Sequence, residues 1–104
     1  MRIFVDIDDT ICRYENIDKG PKDYSLAIPY KERIQKINKL FDEGHEIIYW
    51  TARGSVTQML WFNTTYSQLK EWGCKFHELK MGKPFYDLFI DDKNINSETY
   101  FNSH

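Results

Sequence analysis

Three carboxylates crowd into four positions near the start of the chain: Asp6, Asp8 and Asp9 in "RIFVDIDDTICRY". They follow the apolar run 3–5, which reads as a fully buried strand. Carboxylates this close cost several kcal/mol, roughly, unless a cation neutralises them or one keeps a proton. An oxygen-only ligand set favours a hard ion such as Mg²⁺ over zinc. Further along, Thr51 closes the run 46–50, Asp91 and Asp92 close "YDLFID" at 86–91, and Lys83 lies in the loop before it. Ligands of open α/β sheets bind outside the carboxyl ends of the strands, so these side chains are expected at one edge. The chemistry open to such a set is attack by one carboxylate with a second, two residues on, carrying a proton.

The elements that must position these groups alternate. After the first strand, residues 11–27 read as an irregular loop or flap containing Gly20-Pro21, too short to be a separate cap domain. Tyr30, Ile34, Ile37 and Phe41 then recur at helical spacing, with Pro29 suited to a first helical position and Gly44 to a C-terminal stop. "HEIIYWTAR" supplies a second strand at 46–50. Trp61, Thr65, Leu69 and Trp72 fall on one face of a helix over about 56–72, which Gly73 stops. "CKFHEL" reads as a third strand and "YDLFID" as a fourth, and the remaining residues form either a short helix or a surface tail. Strands alternating with helices predict right-handed crossovers and a short, mainly parallel sheet covered by helices on both faces, in one domain spanning 1–104.

Composition excludes several classes. With 104 residues the chain fits one domain, and 41% hydrophobic and 16% aromatic content supports a core rather than a disordered tail. A net charge of -2, from 14 basic and 16 acidic residues, provides no general attraction to nucleic-acid backbones. No apolar run reaches a membrane span and the first residues lack a signal-peptide pattern, so a cytoplasmic location is expected. Cys12 and Cys74 stand alone in sequence, which predicts buried free thiols. His45, His77 and His104 follow no ligand spacing.

Four stretches in order resemble the haloacid dehalogenase-like (HAD) superfamily. "FVDIDDT" is similar to its D-x-D-x-T signature, "IIYWT" to its strand ending in Thr or Ser, "GKP" to its lysine motif and "LFIDD" to its acidic fourth motif. The resemblance implies a capless, three-layer Rossmann-like phosphatase that hydrolyses a phosphomonoester through an aspartyl-phosphate. On that pattern Asp6 is the nucleophile and Asp8 the general acid and then base. Mg²⁺ is held by Asp6, Asp91 and the backbone carbonyl of Asp8. Thr51 binds a phosphoryl oxygen, and Lys83 offsets charge on the nucleophile and the transferred group. A likeness to small members associated with bacterial surface-polysaccharide synthesis points to a sugar phosphate. Capless members often form oligomers whose neighbours cover the site, so a homo-oligomer is a further expectation.

Other readings stay open on the residues alone. Asp9 suits a turn, Asp92 either a metal group or a helix N-cap, and Lys80 competes with Lys83 for the site. Arg53 is a candidate for substrate phosphate or sugar, or a solvated loop residue. Trp50, Trp61, Phe62 and Tyr66 serve the core, or stack on a ligand or partner. The functional alternatives are a polynucleotide-end phosphatase, weakened by the lack of a basic stripe, and a silent HAD-like scaffold. A phosphorylatable receiver domain is disfavoured because the middle strand ends in Thr51 and not in an acceptor Asp.

Overall fold

Alternation decides the first strand. In the computed structural model, which describes residues 1–15, 23–54 and 61–103, β1 spans Arg2–Val5 and presents Ile3 and Val5 to one side, Arg2 and Phe4 to the other. The stretch expected to be irregular instead contributes β2 (Cys12–Arg13), which pairs antiparallel in a two-stranded ribbon with β3 (Ile28–Pro29) just beyond it, and a 3₁₀ turn at Tyr24–Leu26. Residues 16–22 of the expected flap lie outside the described residues. Helix α1 runs over Lys31–Asp42, with Tyr30 as its N-cap and Pro29 left in β3, because the ribbon claims the proline that sequence assigned to the helix. Its end is fixed by Gly44 at φ 96°, which lets Gly44 N–H reach Phe41 O at 3.0 Å and His45 N–H reach Leu40 O at 3.1 Å.

Strand β4 (Glu46–Trp50) pairs in parallel with β1, setting Ile3 beside Ile47 and Val5 beside Tyr49. Helix α2 (Phe62–Glu71) follows, with the expected residues 56–60 outside the described set, and β5 (Glu78–Lys80) pairs in parallel with β4. Helix α3 (Ser97–Ser103) ends the chain's regular structure. The sheet order is β1-β4-β5. The result is an α/β fold with a small, mainly parallel sheet and three helices. Its radius of gyration of 13.5 Å compares with about 13 Å for a folded chain near 100 residues. No helix among the described residues is long and apolar enough to cross a membrane.

One face of the sheet carries the core. Val5, Ile47 and Tyr49 join Ile34 and Ile37 of α1, Leu69 of α2 and Phe101 of α3 in a single buried cluster, with Ile7, Ile11 and Cys12 closing it beneath the β1 turn. Truncating one of these, Ile7→Ala for example, is worth about 2–5 kcal/mol. All three helices therefore share that face, whereas helices on both faces were expected. Successive crossovers stepping the same way across a sheet leave their helices on the same side, and covering the other side requires the chain to reverse direction. The segment expected to do so does not join the sheet. Residues 86–91 form no strand, β1 remains an edge, and Leu88 and Ile90 are 75% and 89% exposed. On the opposite face Ile48 is nevertheless fully buried, and Phe4 meets Trp50 edge to face with 5.7 Å between ring centres.

Candidate functional site

The turn after β1 sorts its residues by parity. Ile7 is fully buried in the core, which leaves Asp6 and Asp8 on the opposite, cleft-facing side. Thr10 N–H and Ile11 N–H both reach Ile7 O, at 3.1 and 2.9 Å, and Asp9 takes φ 62° with its N–H on Cys12 O at 2.9 Å. Asp is one of the few residues that tolerate this left-handed position. Asp9 is thus the turn residue, and the turn fixes where Asp6 and Asp8 stand.

Those two carboxylates line a cleft of about 470 Å³ together with Thr51, Lys83, Tyr24 and Phe85. The Lys83 ammonium lies 3.3 Å from one oxygen of Asp6 and the Thr10 hydroxyl donates to the other at 3.0 Å. Lys83 is delivered by backbone bonds. Thr51 N–H reaches Lys80 O and Lys83 N–H reaches Thr51 O, both at 3.0 Å, so the loop after β5 is tied to the end of β4. Lys80 instead points to Trp50, 6.0 Å from its ring centre, which makes Lys83 the lysine of the cleft. The buried Thr51 hydroxyl accepts the Arg53 N–H at 3.1 Å and keeps its own proton to give.

Asp8 has a different neighbour. The Arg53 guanidinium grips it through Nε at 3.1 Å and Nη2 at 2.9 Å, and the Tyr14 hydroxyl donates to it at 2.6 Å. Burial alone would raise the Asp8 carboxyl, but the hydrogen bonds and charge of Arg53, with those of Tyr14 and Cys12, outweigh it and hold the group below its usual range. Burial, Asp8's hydrogen bond and Asp8's charge push the Tyr14 phenol up. Arg53 itself is buried, with Nη1 spent on Thr65 at 3.0 Å and Gln68 at 2.6 Å. Arg53 lines the cleft, where it was expected, but it is no solvated loop residue: its donors face acceptors of the protein. Tyr14 and Gln68 were not singled out from sequence, and Thr65 was read only as part of a helix face. They come from a flap and a helix whose spacing signals only packing.

The acidic fourth position also departs from expectation. Asp91 is exposed, is absent from the cleft's lining, and accepts Asp92 N–H at 2.9 Å. Asp92 does not cap α3, whose first turn is capped by Asn96 through Glu98 N–H at 2.9 Å. Among the described residues no group of three His, Cys, Asp or Glu side chains is arranged to hold a metal. Of the two side chains expected to hold an ion, Asp6 lines the cleft and Asp91 does not, because the run that carries it joins no strand among the described residues.

Of the exposed aromatics, Phe62 and Tyr66 stack at 5.9 Å on α2, and Tyr66 also meets Phe76, so they cover the helix's outer side rather than the cleft. Trp61 packs edge to face on Tyr24 at 5.0 Å.

No family model and no curated protein matches the chain. Its fold is similar to that of a crystal structure, an MCSG target from Vibrio cholerae. The TM-score is 0.80 at 21% identity, over 96% of this chain and 86% of that one. Identity at that level speaks for the shared α/β architecture alone.

Proposed function

We propose that the chain is a capless HAD-like phosphatase hydrolysing a small phosphomonoester, a sugar phosphate being the first candidate. The observation that carries this is the meeting, in one cleft, of two carboxylates spaced two residues apart with the Thr51 hydroxyl and the Lys83 ammonium. Attack on phosphorus needs a nucleophile, a cation beside it, a donor for a phosphoryl oxygen and a proton carrier near the leaving oxygen. In this reading an oxygen of Asp6 forms a bond to phosphorus as the bond to the leaving alkoxide breaks. Asp8, ionised beside Arg53 in the resting protein, takes up the proton that a phosphomonoester monoanion brings and passes it to that alkoxide. It then takes a proton from the water that displaces Asp6 from phosphorus, which frees the Asp6 carboxylate, and loses that proton to solvent as phosphate leaves. Lys83, 3.3 Å from Asp6, offsets charge on the nucleophile and on the transferred group.

Mg²⁺ belongs to the proposal through the family resemblance only. A polynucleotide end is disfavoured as substrate by the net charge of -2. The silent-scaffold reading draws on a specific observation, the closed Arg53–Asp8 pair with Asp91 outside the cleft. One comparison separates the two. Wild-type protein should release phosphate from p-nitrophenyl phosphate in a metal titration, and Asp6→Asn should lose at least about a thousandfold in kcat, as expected for a nucleophile. Turnover that survives Asp6→Asn removes Asp6 from that role. A wild type that stays inert toward aryl, alkyl and sugar phosphates at every metal concentration leaves the scaffold.

A further inference from the structure

The guanidinium of Arg53 has five N–H donors, and each faces an acceptor of the protein. Nε meets Asp8 at 3.1 Å, and Nη1 meets Thr65 at 3.0 Å and Gln68 at 2.6 Å. Nη2 meets Asp8 at 2.9 Å and the Tyr14 hydroxyl at 3.4 Å. The Tyr24 ring stacks on it with 4.8 Å from the guanidinium carbon to the ring centre. The Arg53 side chain has no exposed surface in its pairing with Asp8. A guanidinium placed to bind an incoming phosphate would keep a donor edge toward the cleft. Arg53 lines the cleft, yet it turns its planar edge to Asp8 and its far end to α2.

We propose that Arg53 is a positioning residue for Asp8: it fixes the carboxylate that handles the leaving-group proton and takes no part in holding the substrate. The proposal rests on the phosphatase reading for its consequence in turnover, and on the geometry alone for the placement. Geometry is what proton transfer needs, since displacement of a reacting group by 1 Å costs about a hundredfold. The anchor reaches across the fold. Thr65 and Gln68, one turn apart on α2, hold Nη1, and the Gln68 amide donates to Tyr24 O at 2.6 Å. Helix α2 and the 3₁₀ turn therefore hold Arg53, and Arg53 holds Asp8. Lysine cannot substitute, because one ammonium cannot span a carboxylate and two α2 acceptors in a plane.

The test uses two substrates. An aryl phosphate such as p-nitrophenyl phosphate departs without needing a proton, while an alkyl phosphate such as glycerol 2-phosphate needs one. Arg53→Lys should lower kcat on the alkyl phosphate by about a hundredfold and on the aryl phosphate by only a few-fold, with both KM values within about twofold of wild type. Gln68 lies outside the cleft's described lining. Gln68→Met should therefore show the same split at a smaller scale, about fivefold, with no effect on KM, and it covers the case in which Arg53→Lys does not fold. A rise in KM with kcat preserved, or an equal loss of kcat on both substrates, overturns the proposal. Crystal structures of wild type and variants read the placement without turnover. Asp8 should hold one orientation in wild type and lose it in Arg53→Lys or Gln68→Met, and an unmoved carboxylate also overturns the proposal. Should wild type hydrolyse neither substrate, the phosphatase reading fails while the crystallographic comparison still decides the role of Arg53.

Discussion

Two ion pairs stand side by side at the end of β1 and behave as opposites. Lys83–Asp6 meets at 3.3 Å with the carboxylate one-third exposed, and the lysine, which also lies over the Tyr86 ring at 5.3 Å, arrives on an irregular loop. Arg53–Asp8 is a two-point contact under Tyr14 and Tyr24 with the guanidinium cut off from water. The first pair is loose enough to open for an incoming anion, and the second is too well anchored to do so. A site that must receive substrate at one carboxylate while keeping the other aligned needs this asymmetry, and the two residues between strand and turn provide it.

Stability gives the largest predicted difference. Removing Asp8 leaves a buried, unpaired guanidinium, so Asp8→Ala should lose about 3–5 kcal/mol, a fall in Tm of more than about 10 °C. Asp6→Ala loses a solvent-shared contact and the Thr10 hydroxyl bond, about 1 kcal/mol or less. Thermal unfolding of the two variants with equal losses would erase the distinction.

Acid sharpens the comparison. The folded Asp8 carboxyl lies below its usual range, so the stability from its ionisation is fully present above the unfolded value, about 3.9. It is lost as pH falls through the lower folded value. The stability gap between wild type and Asp8→Ala should accordingly hold from neutrality down to about pH 4 and close below it. A gap that closes well above pH 5 would mean that Asp8 is not held ionised.

Salt separates the pairs more gently. Raising ionic strength from about 0.01 M to 1 M shortens the screening length from about 30 to 3 Å. The coupling measured by a double-mutant cycle on Lys83 and Asp6 should vanish over that range, while the Arg53–Asp8 coupling keeps more than about half its size. Parallel declines would show that both pairs face solvent.

Legibility in the sequence divided along the same line. Asp6 and Asp8 were readable because the strand's period of two, interrupted by the apolar Ile7, sends both to one side. Thr51 was readable as the polar stop of an apolar run. The preference for Lys83 over Lys80 needed a tether, Lys83 N–H to Thr51 O, that spacing suggests but does not show. Arg53 was readable as a candidate of the cleft, but its pairing with Asp8 was not. Its partners come from positions 8, 14, 24, 65 and 68, and only packing reveals that they converge. The run 86–91 shows the reverse error. An apolar stretch ending in acids has the pattern of a buried strand, but a strand is made by pairing, and among the described residues this run pairs with neither edge of the sheet.

The smallest predicted effect is a chemical one at Cys12. Burial first, and then the negative charge of Asp8, push its thiol up to about 12, and burial pushes Cys74 up to about 11. Thiolate is the reactive form, so iodoacetamide at pH 8 should label neither residue in the folded wild type faster than the chain opens. Asp8→Ala removes the neighbouring anion from Cys12 but keeps the Arg53 guanidinium 4.0 Å from its sulfur. The balance there tips toward thiolate. Cys74 sits elsewhere in the core and reports only general loosening of the weakened variant. Labelling of Cys12 should therefore accelerate more than labelling of Cys74, by an amount that grows with pH. Equal acceleration at both sites would assign the effect to unfolding, and the charge pairing around Asp8 would have to be redrawn.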